Sequence, residues 1–139
     1  MRILGLDWGE SRIGVAVSDL LGITAQPVCV ISEKDTALQI EKIIEKAKEL
    51  SAEKIVIGMP KNMNGSIGER GEKTKEFVSL LSEKTELPII YWDERLSSVA
   101  AHRTLAEGQV SGKNRKGIVD KIAAVFILQG YLDSIGNTL

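Results

Sequence analysis

The sequence predicts a single α/β domain over residues 1–139. Its mixed five-stranded sheet has three antiparallel strands followed by parallel strands, and helices flank it. Three short apolar runs joined by turn-forming residues open the chain, which is typical of an antiparallel meander. Apolar strands then alternate with segments of helical spacing, which is typical of parallel strands joined by helical crossovers. The length of 139 residues suits one domain, and no repeat or linker divides it.

The first three strands lie in the first third of the chain. They are predicted at Arg2–Leu6, Arg12–Ser18 and Ile23–Ile31, with the turn-forming residues Asp19 and Gly22 between the second and the third. Because the connections are short, we expect neighbouring strands to run in opposite directions.

A change from strand to helix periodicity follows the third strand. Ile40, Ile43 and Ile44 recur at helical spacing and predict the first helix. Thr36 and Gln39 have the spacing of a capping box, so we expect this helix to begin there.

The remaining elements complete the order βββαβαβαα. Two further apolar strands are predicted at Lys54–Met59 and Leu87–Trp92, and glycine-rich residues 65–71 lead into the helix between them. Two helices follow, at Ser97–Glu107 and Gly117–Leu132. Right-handed crossovers would place the fourth strand beside the first and the fifth strand beyond the fourth.

Composition excludes several classes of protein. With 43% hydrophobic and 27% charged residues, the chain resembles folded globular proteins and not disordered ones. No apolar run approaches the ~18 residues that span a bilayer. One cysteine, Cys29, supports neither a disulfide framework nor a thiolate zinc site. We therefore expect a reduced, cytoplasmic protein without a membrane partner.

Acidic residues are predicted where parallel strands end. Asp7 directly follows the first strand, and Asp93 and Glu94 follow the fifth. Asp120 lies near the start of the last helix, at helical spacing from apolar residues that face the sheet. Binding sites in such sheets form beyond the carboxyl ends of the parallel strands, so we expect these acids to meet at one edge.

A group of carboxylates at this edge is typical of a metal site. Buried carboxylates repel one another and are costly unless a cation neutralises them, and Mg²⁺ or Mn²⁺ prefers such oxygen ligands. Ions held in this way activate water for phosphodiester cleavage. Each acid also has a structural alternative: Asp7 can cap a turn, Asp120 can favour a helix start, and Glu94 can pair with Arg95.

Four segments resemble the YqgF family of bacterial proteins. They are GLDWGESRIGVAVSD at 5–19, GMPKNMNGS at 58–66, DERLSS at 93–98 and VDKIAAVFILQGYL at 119–132. The family is similar to Holliday-junction resolvases and has a ribonuclease H-like fold. The resemblance covers nearly the whole chain and implies a nuclease that processes the 5′ end of pre-16S rRNA during ribosome biogenesis.

The resemblance also implies the catalytic and metal-binding residues. They are Asp7, Glu94 and Asp120, with Mg²⁺ or Mn²⁺ as the cofactor. Asp93 stays open as an alternative to Glu94, because neighbours on an extended segment point in opposite directions. The lone His102 is predicted to have a structural role, since a bound metal ion makes a catalytic histidine unnecessary.

Basic and amide side chains near this edge are predicted to hold the phosphodiester. The candidates are Arg12, Lys61, Asn62, Arg95, Lys113, Arg115 and Lys116. The net charge of −1 is not that of a protein that binds nucleic acid by bulk charge. Residues 95–121, however, contain six basic and two acidic side chains. For Arg12 the alternative is a base at a strand edge, and for the loops it is mobility alone.

The expected partners are an rRNA precursor, with branched DNA as the alternative, and ribosome-assembly particles. Three other functions stay open from the sequence. The first is a Holliday-junction resolvase, and the second is an RNA-binding module without catalysis. The third is a phosphotransferase of the kind found in sugar kinases and actin-like proteins, which need two such domains to close over ATP.

Overall fold

The computed structural model describes residues 2–62, 64–94 and 115–136. The strands are β1 (Arg2–Trp8), β2 (Arg12–Ser18), β3 (Ala25–Ser32), β4 (Ala52–Met59) and β5 (Ile89–Asp93), and the helices are α1 (Thr36–Glu49), α2 (Glu69–Ser82) and α3 (Arg115–Gly136). The helix predicted at Ser97–Glu107 lies outside these residues. In the part of the chain that the structure describes, no helix is long and apolar enough to cross a membrane.

The five strands form one sheet in the order β3-β2-β1-β4-β5. β1 pairs antiparallel with β2, and β2 pairs antiparallel with β3. β4 pairs parallel with β1 on one side and with β5 on the other. The predicted fold class and strand order are therefore confirmed.

Two predicted details at the ends of elements are wrong. α1 begins at Thr36 as predicted, but its N-cap is Asp35, because the Asp35 carboxylate accepts hydrogen bonds from the backbone N–H groups of Ala37 and Leu38. The third strand begins two residues later than predicted, since the Asp19 carboxylate holds the backbone N–H of Ile23 in the preceding turn.

Two core clusters lie on opposite faces of the sheet. One face contributes Leu4 and Leu6 to a cluster that also contains residues of α1 and α2. The other face contributes Ile3 to a cluster with residues of α3. Gly5 also belongs to this second face, because a Cβ atom there would lie 2.7 Å from Leu128 Cβ. The missing side chain lets α3 lie directly against the sheet.

Candidate functional site

Asp7 lies inside β1, not after it as the sequence predicted. Side chains alternate along a strand, so Asp7 shares the α3 face of the sheet with Gly5. Its side chain is buried, with 4% of the residue exposed. A carboxylate in such a place is costly unless other groups compensate its charge.

Asp120 of α3 lies beside this position. Asp7 is paired with Gly14 across β1 and β2. The backbone carbonyl of Asp120 lies directly over Gly14, where a Cβ atom would collide with it. The sheet register and the approach of α3 thus bring the two predicted acids to the same place.

Arg12 forms an ion pair with Asp120 of α3. Its Nε donates a hydrogen bond to Asp120 Oδ2 at 2.9 Å. The side chains are 39% and 20% exposed respectively, so the pair is accessible from outside. An arginine has five N–H donors, and Nε uses only one of them.

Glu94 lies on the same face of the sheet, next to β4. A Cβ atom on Gly58 would lie 2.8 Å from Glu94 Oε1 and 2.5 Å from Ile127 Cδ1 of α3. Leu6 of β1 is paired with Ile57 of β4. The next residues of these parallel strands, Asp7 and Gly58, therefore lie side by side on the same face of the sheet. The Glu94 carboxylate therefore occupies space on the Asp7 side of the sheet that a side chain at Gly58 would fill.

Asp93 has a different contact. Lys61 Nζ lies 3.7 Å from Asp93 Oδ2, so this lysine, predicted to bind substrate, faces an acid of β5. The contact makes Asp93 an ion-pair partner of Lys61, whereas the Glu94 carboxylate lies over Gly58 on the Asp7 side of the sheet. This position favours Glu94 as the third acid of the predicted site.

A cleft of about 770 Å³ opens over Asp7. Its lining consists of Asp7, Trp8, Gly9, Glu10, Ser11, Arg12, Glu69, Arg70, Lys73 and Asp120. One wall is the loop between β1 and β2, and the opposite wall is the first two turns of α2. Glu94 does not line this cleft.

An ion pair joins the two walls of the cleft. Lys73 Nζ lies 2.6 Å from Glu10 Oε1 and 3.7 Å from Glu69 Oε1. The hydrogen bond from Lys73, together with its charge, lowers the pKa of the Glu10 carboxyl from its ordinary value. In return, the hydrogen bond to Glu10 raises the pKa of Lys73.

The donor chemistry of the three acids fits a hard dication, because every candidate ligand is a carboxylate oxygen. In residues 2–62, 64–94 and 115–136, however, no three acidic, histidine or cysteine side chains lie close enough together to hold a metal ion. Asp120 instead contacts Arg12. The metal site at Asp7, Glu94 and Asp120 stays a prediction.

The other predicted substrate contacts are described only in part. The Asn62 side chain packs against Gly68, the N-cap of α2, within 3.3 Å of where a Cβ atom would lie. Arg115 and Lys116 lie in the first turn of α3. Arg95, Lys113 and the lone histidine, His102, lie outside the described residues.

A buried glutamine that the sequence analysis assigned only to a capping box holds the β1–β2 loop. Gln39 of α1 is 1% exposed. Its Nε2 donates to the carbonyl oxygens of Gly9, Glu10 and Glu33 at 3.3, 3.1 and 2.8 Å. Its Oε1 accepts from Trp8 Nε1 at 3.4 Å. The loop that forms one wall of the cleft is thus fixed from beneath.

Replacing Gln39 with leucine is expected to loosen this loop and to lower the free energy of unfolding by about 1–3 kcal/mol, since buried polar groups lose their partner. Denaturant unfolding would measure the loss, and amide exchange at residues 9–12 would locate it. Gln26→Leu is the matched control, because Gln26 is exposed and, among the described residues, its side chain bonds only to Thr24. Equal effects of the two substitutions would contradict the assigned role.

Comparisons with known proteins identify the family and relatives that match nearly the whole chain. A family model described as "RuvX: Holliday junction resolvase" matches residues 1–134. A Clostridium novyi (strain NT) protein named "Putative pre-16S rRNA nuclease" is 53% identical over 135 residues, which cover 97% of this chain and 100% of that protein.

Two solved structures share the fold. T. thermophilus RuvC in complex with a Holliday junction substrate has a TM-score of 0.62 at 12% identity, over 99% of this chain and 97% of that one. The fowlpox virus Holliday junction resolvase has a TM-score of 0.56 at 14% identity, over 96% of this chain and 99% of that one. At such low identity the likeness establishes the fold alone.

Proposed function

Because the chain belongs to the RuvX (YqgF) family, we propose that it is a metal-dependent nuclease that hydrolyses phosphodiester bonds at the 5′ end of pre-16S rRNA. Such a substrate implies action in the cytoplasm, on ribosome-assembly particles. The relative from Clostridium novyi supports this substrate by its name and by its match over its full length.

One structural observation carries the proposal beyond the family match. Three acids from distant parts of the chain lie on the α3 face of the sheet, around two glycines. Asp7 is paired with Gly14, Asp120 lies over Gly14, and Glu94 lies over Gly58. Gly14 leaves space for the backbone of α3 at Asp120, and Gly58 leaves space for the Glu94 carboxylate.

Asp7, Asp120 and Glu94 would hold Mg²⁺ or Mn²⁺ through carboxylate oxygens. Such ions, when bound, activate water and stabilise the leaving oxygen in phosphodiester cleavage. Arg12 orients the Asp120 carboxylate through Nε, and its remaining N–H donors can bind a substrate phosphate. Burial of Asp7 beneath the cleft keeps its carboxylate away from bulk water.

The test is a cleavage assay with the purified protein. A 5′-extended small-subunit rRNA precursor and a four-way DNA junction are incubated in parallel with Mg²⁺, with Mn²⁺ and with EDTA. We expect cleavage of the rRNA precursor with either metal and none with EDTA. No cleavage of either substrate under any condition would contradict the nuclease function.

Resolution of branched DNA is the second candidate. The description of the matching family favours it. Symmetric cutting of the four-way junction, without cutting of the rRNA precursor, would assign this function in place of rRNA processing.

A further inference from the structure

The α2 wall of the cleft carries basic residues that are not among the predicted substrate contacts. Glu69, Arg70 and Lys73 line it. Residues three and four apart on a helix lie on the same face, so Arg70 and Lys73 are neighbours. Both residues are exposed, and both are therefore accessible to a ligand in the cleft.

Arg70 differs from the other two cations of the cleft in its contacts. Arg12 is bonded to Asp120, and Lys73 is bonded to Glu10. The Arg70 side chain has no hydrogen bond or ion pair with any residue that the structure describes. Its guanidinium keeps all its donors for a ligand, and a guanidinium matches the geometry of a phosphate.

The contact between Lys73 and Glu10 is one that a ligand can displace. Its side chain is 45% exposed and that of Glu10 is 64% exposed. Ion pairs exposed to this degree contribute little free energy, because water and salt screen them. A phosphate group that enters the cleft can therefore take the place of the Glu10 carboxylate on Lys73.

The balance of charges in the cleft favours Arg70 as a contact for an anionic substrate. Four acids and three bases line it. Two of the bases, Arg12 and Lys73, already pair with acids of the lining, which leaves Arg70 as the base of the lining without an acidic partner among the described residues.

We propose that Arg70 and Lys73 form a binding site for backbone phosphates of the nucleic-acid substrate, and that Glu10 occupies Lys73 until a phosphate displaces it. This site rests on the proposed nuclease function. It places the substrate strand between the β1–β2 loop and α2, beside Asp7 and Asp120.

Binding is measured in EDTA, so that no cleavage is needed, by the fluorescence anisotropy of a labelled 5′-extended small-subunit rRNA precursor fragment over a series of salt concentrations. Arg70→Ala is expected to weaken binding about three- to fivefold at fixed salt, as expected for an exposed ion pair. It should also reduce the slope of log K against log salt by about 0.7–0.9, the loss of one phosphate contact.

Glu10→Gln is expected to tighten binding. It removes the acid 2.6 Å from Lys73 and leaves only the longer contact with Glu69 at 3.7 Å, so a phosphate has less competition for Lys73. The salt slope should keep its parental value, because Lys73 contacts a phosphate in both complexes. A substitution that merely damaged the fold would not produce tighter binding. Thermal unfolding of each variant confirms that it is folded.

Each substitution has a control with the same change of charge. Lys75→Ala removes a positive charge from α2 at an exposed position that does not line the cleft. Glu49→Gln removes the acid of another exposed ion pair, with Lys46, that does not line the cleft. We expect both controls to keep the slope of the unaltered protein.

Two results would contradict the proposed phosphate site. One is that Arg70→Ala binds the RNA fragment as tightly as Lys75→Ala does. The other is that Glu10→Gln binds it no more tightly than Glu49→Gln does. Absence of salt-dependent binding by the unaltered protein would also overturn it. If the binding changes occur as expected but no variant or parent protein cuts RNA, the nuclease function fails and the phosphate site stands.

Discussion

Replacing Asp7 with asparagine is expected to reduce Mn²⁺-dependent cleavage of the rRNA precursor by more than about a hundredfold. Loss of a residue that only supports a metal ligand already costs about 10–100-fold in activity, so loss of a ligand should cost more. The amide keeps the size of the side chain but cannot supply a charged oxygen. Asp120→Asn should have a comparable effect.

The folded state should survive this change. Asp7 is buried, and a neutral amide costs less to bury than a carboxylate, so we expect Asp7→Asn to unfold at the same temperature or a higher one without metal. Mn²⁺ should raise the unfolding temperature of the parent protein, because it binds the folded state, and should have little effect on the variant.

Asp133→Asn is the matched control for these measurements. Asp133 lies on α3, is exposed and accepts a hydrogen bond from Gln129, outside the lining of the cleft. It should cleave RNA at the parental rate and keep the Mn²⁺ effect on unfolding. Parental cleavage by both Asp7→Asn and Asp120→Asn would remove these acids from the mechanism.

Replacing Gly14 with alanine should damage both stability and cleavage. The added Cβ atom would overlap the backbone carbonyl of Asp120, and a backbone atom in a helix cannot move alone. α3 must therefore shift away from β2. Overpacking of this kind costs about 1–3 kcal/mol, and the shift also carries the Asp120 carboxylate away from Asp7.

Denaturant unfolding and the cleavage assay measure the two effects of Gly14→Ala. Gly136→Ala is the control, because a Cβ atom at Gly136 would have no atom of the described residues within 4 Å. Unchanged stability and unchanged cleavage in Gly14→Ala would mean that the close contact between α3 and β2 does not position Asp120.

Much of the fold could be predicted because it depends on local periodicity. The strand order follows from short connections among the first strands and from right-handed crossovers afterwards. The capping residue of α1 was predicted wrongly because Asp35 and Thr36 both suit an N-cap, and only the hydrogen bonds formed by the Asp35 carboxylate distinguish them.

The position of the three acids on one face of the sheet was predictable, and the contacts of the basic residues were less so. Acids at the ends of parallel strands are visible in the sequence, whereas ion pairs such as Arg12 with Asp120 join residues far apart in the chain. Arg70 and Gln39 were missed for the same reason. Their roles depend on how α1 and α2 pack beside the β1–β2 loop, and no local pattern contains that information.

The docking of α3 over Gly14 has a consequence for the growing polypeptide. β1 and its acid leave the ribosome early, whereas the helix that brings Asp120 is the last described element to be synthesised. Until that helix emerges and packs, a nascent chain lacks one of the three acids of the proposed metal site. On the proposed function, cleavage would therefore begin only after α3 has been synthesised and has packed against β2.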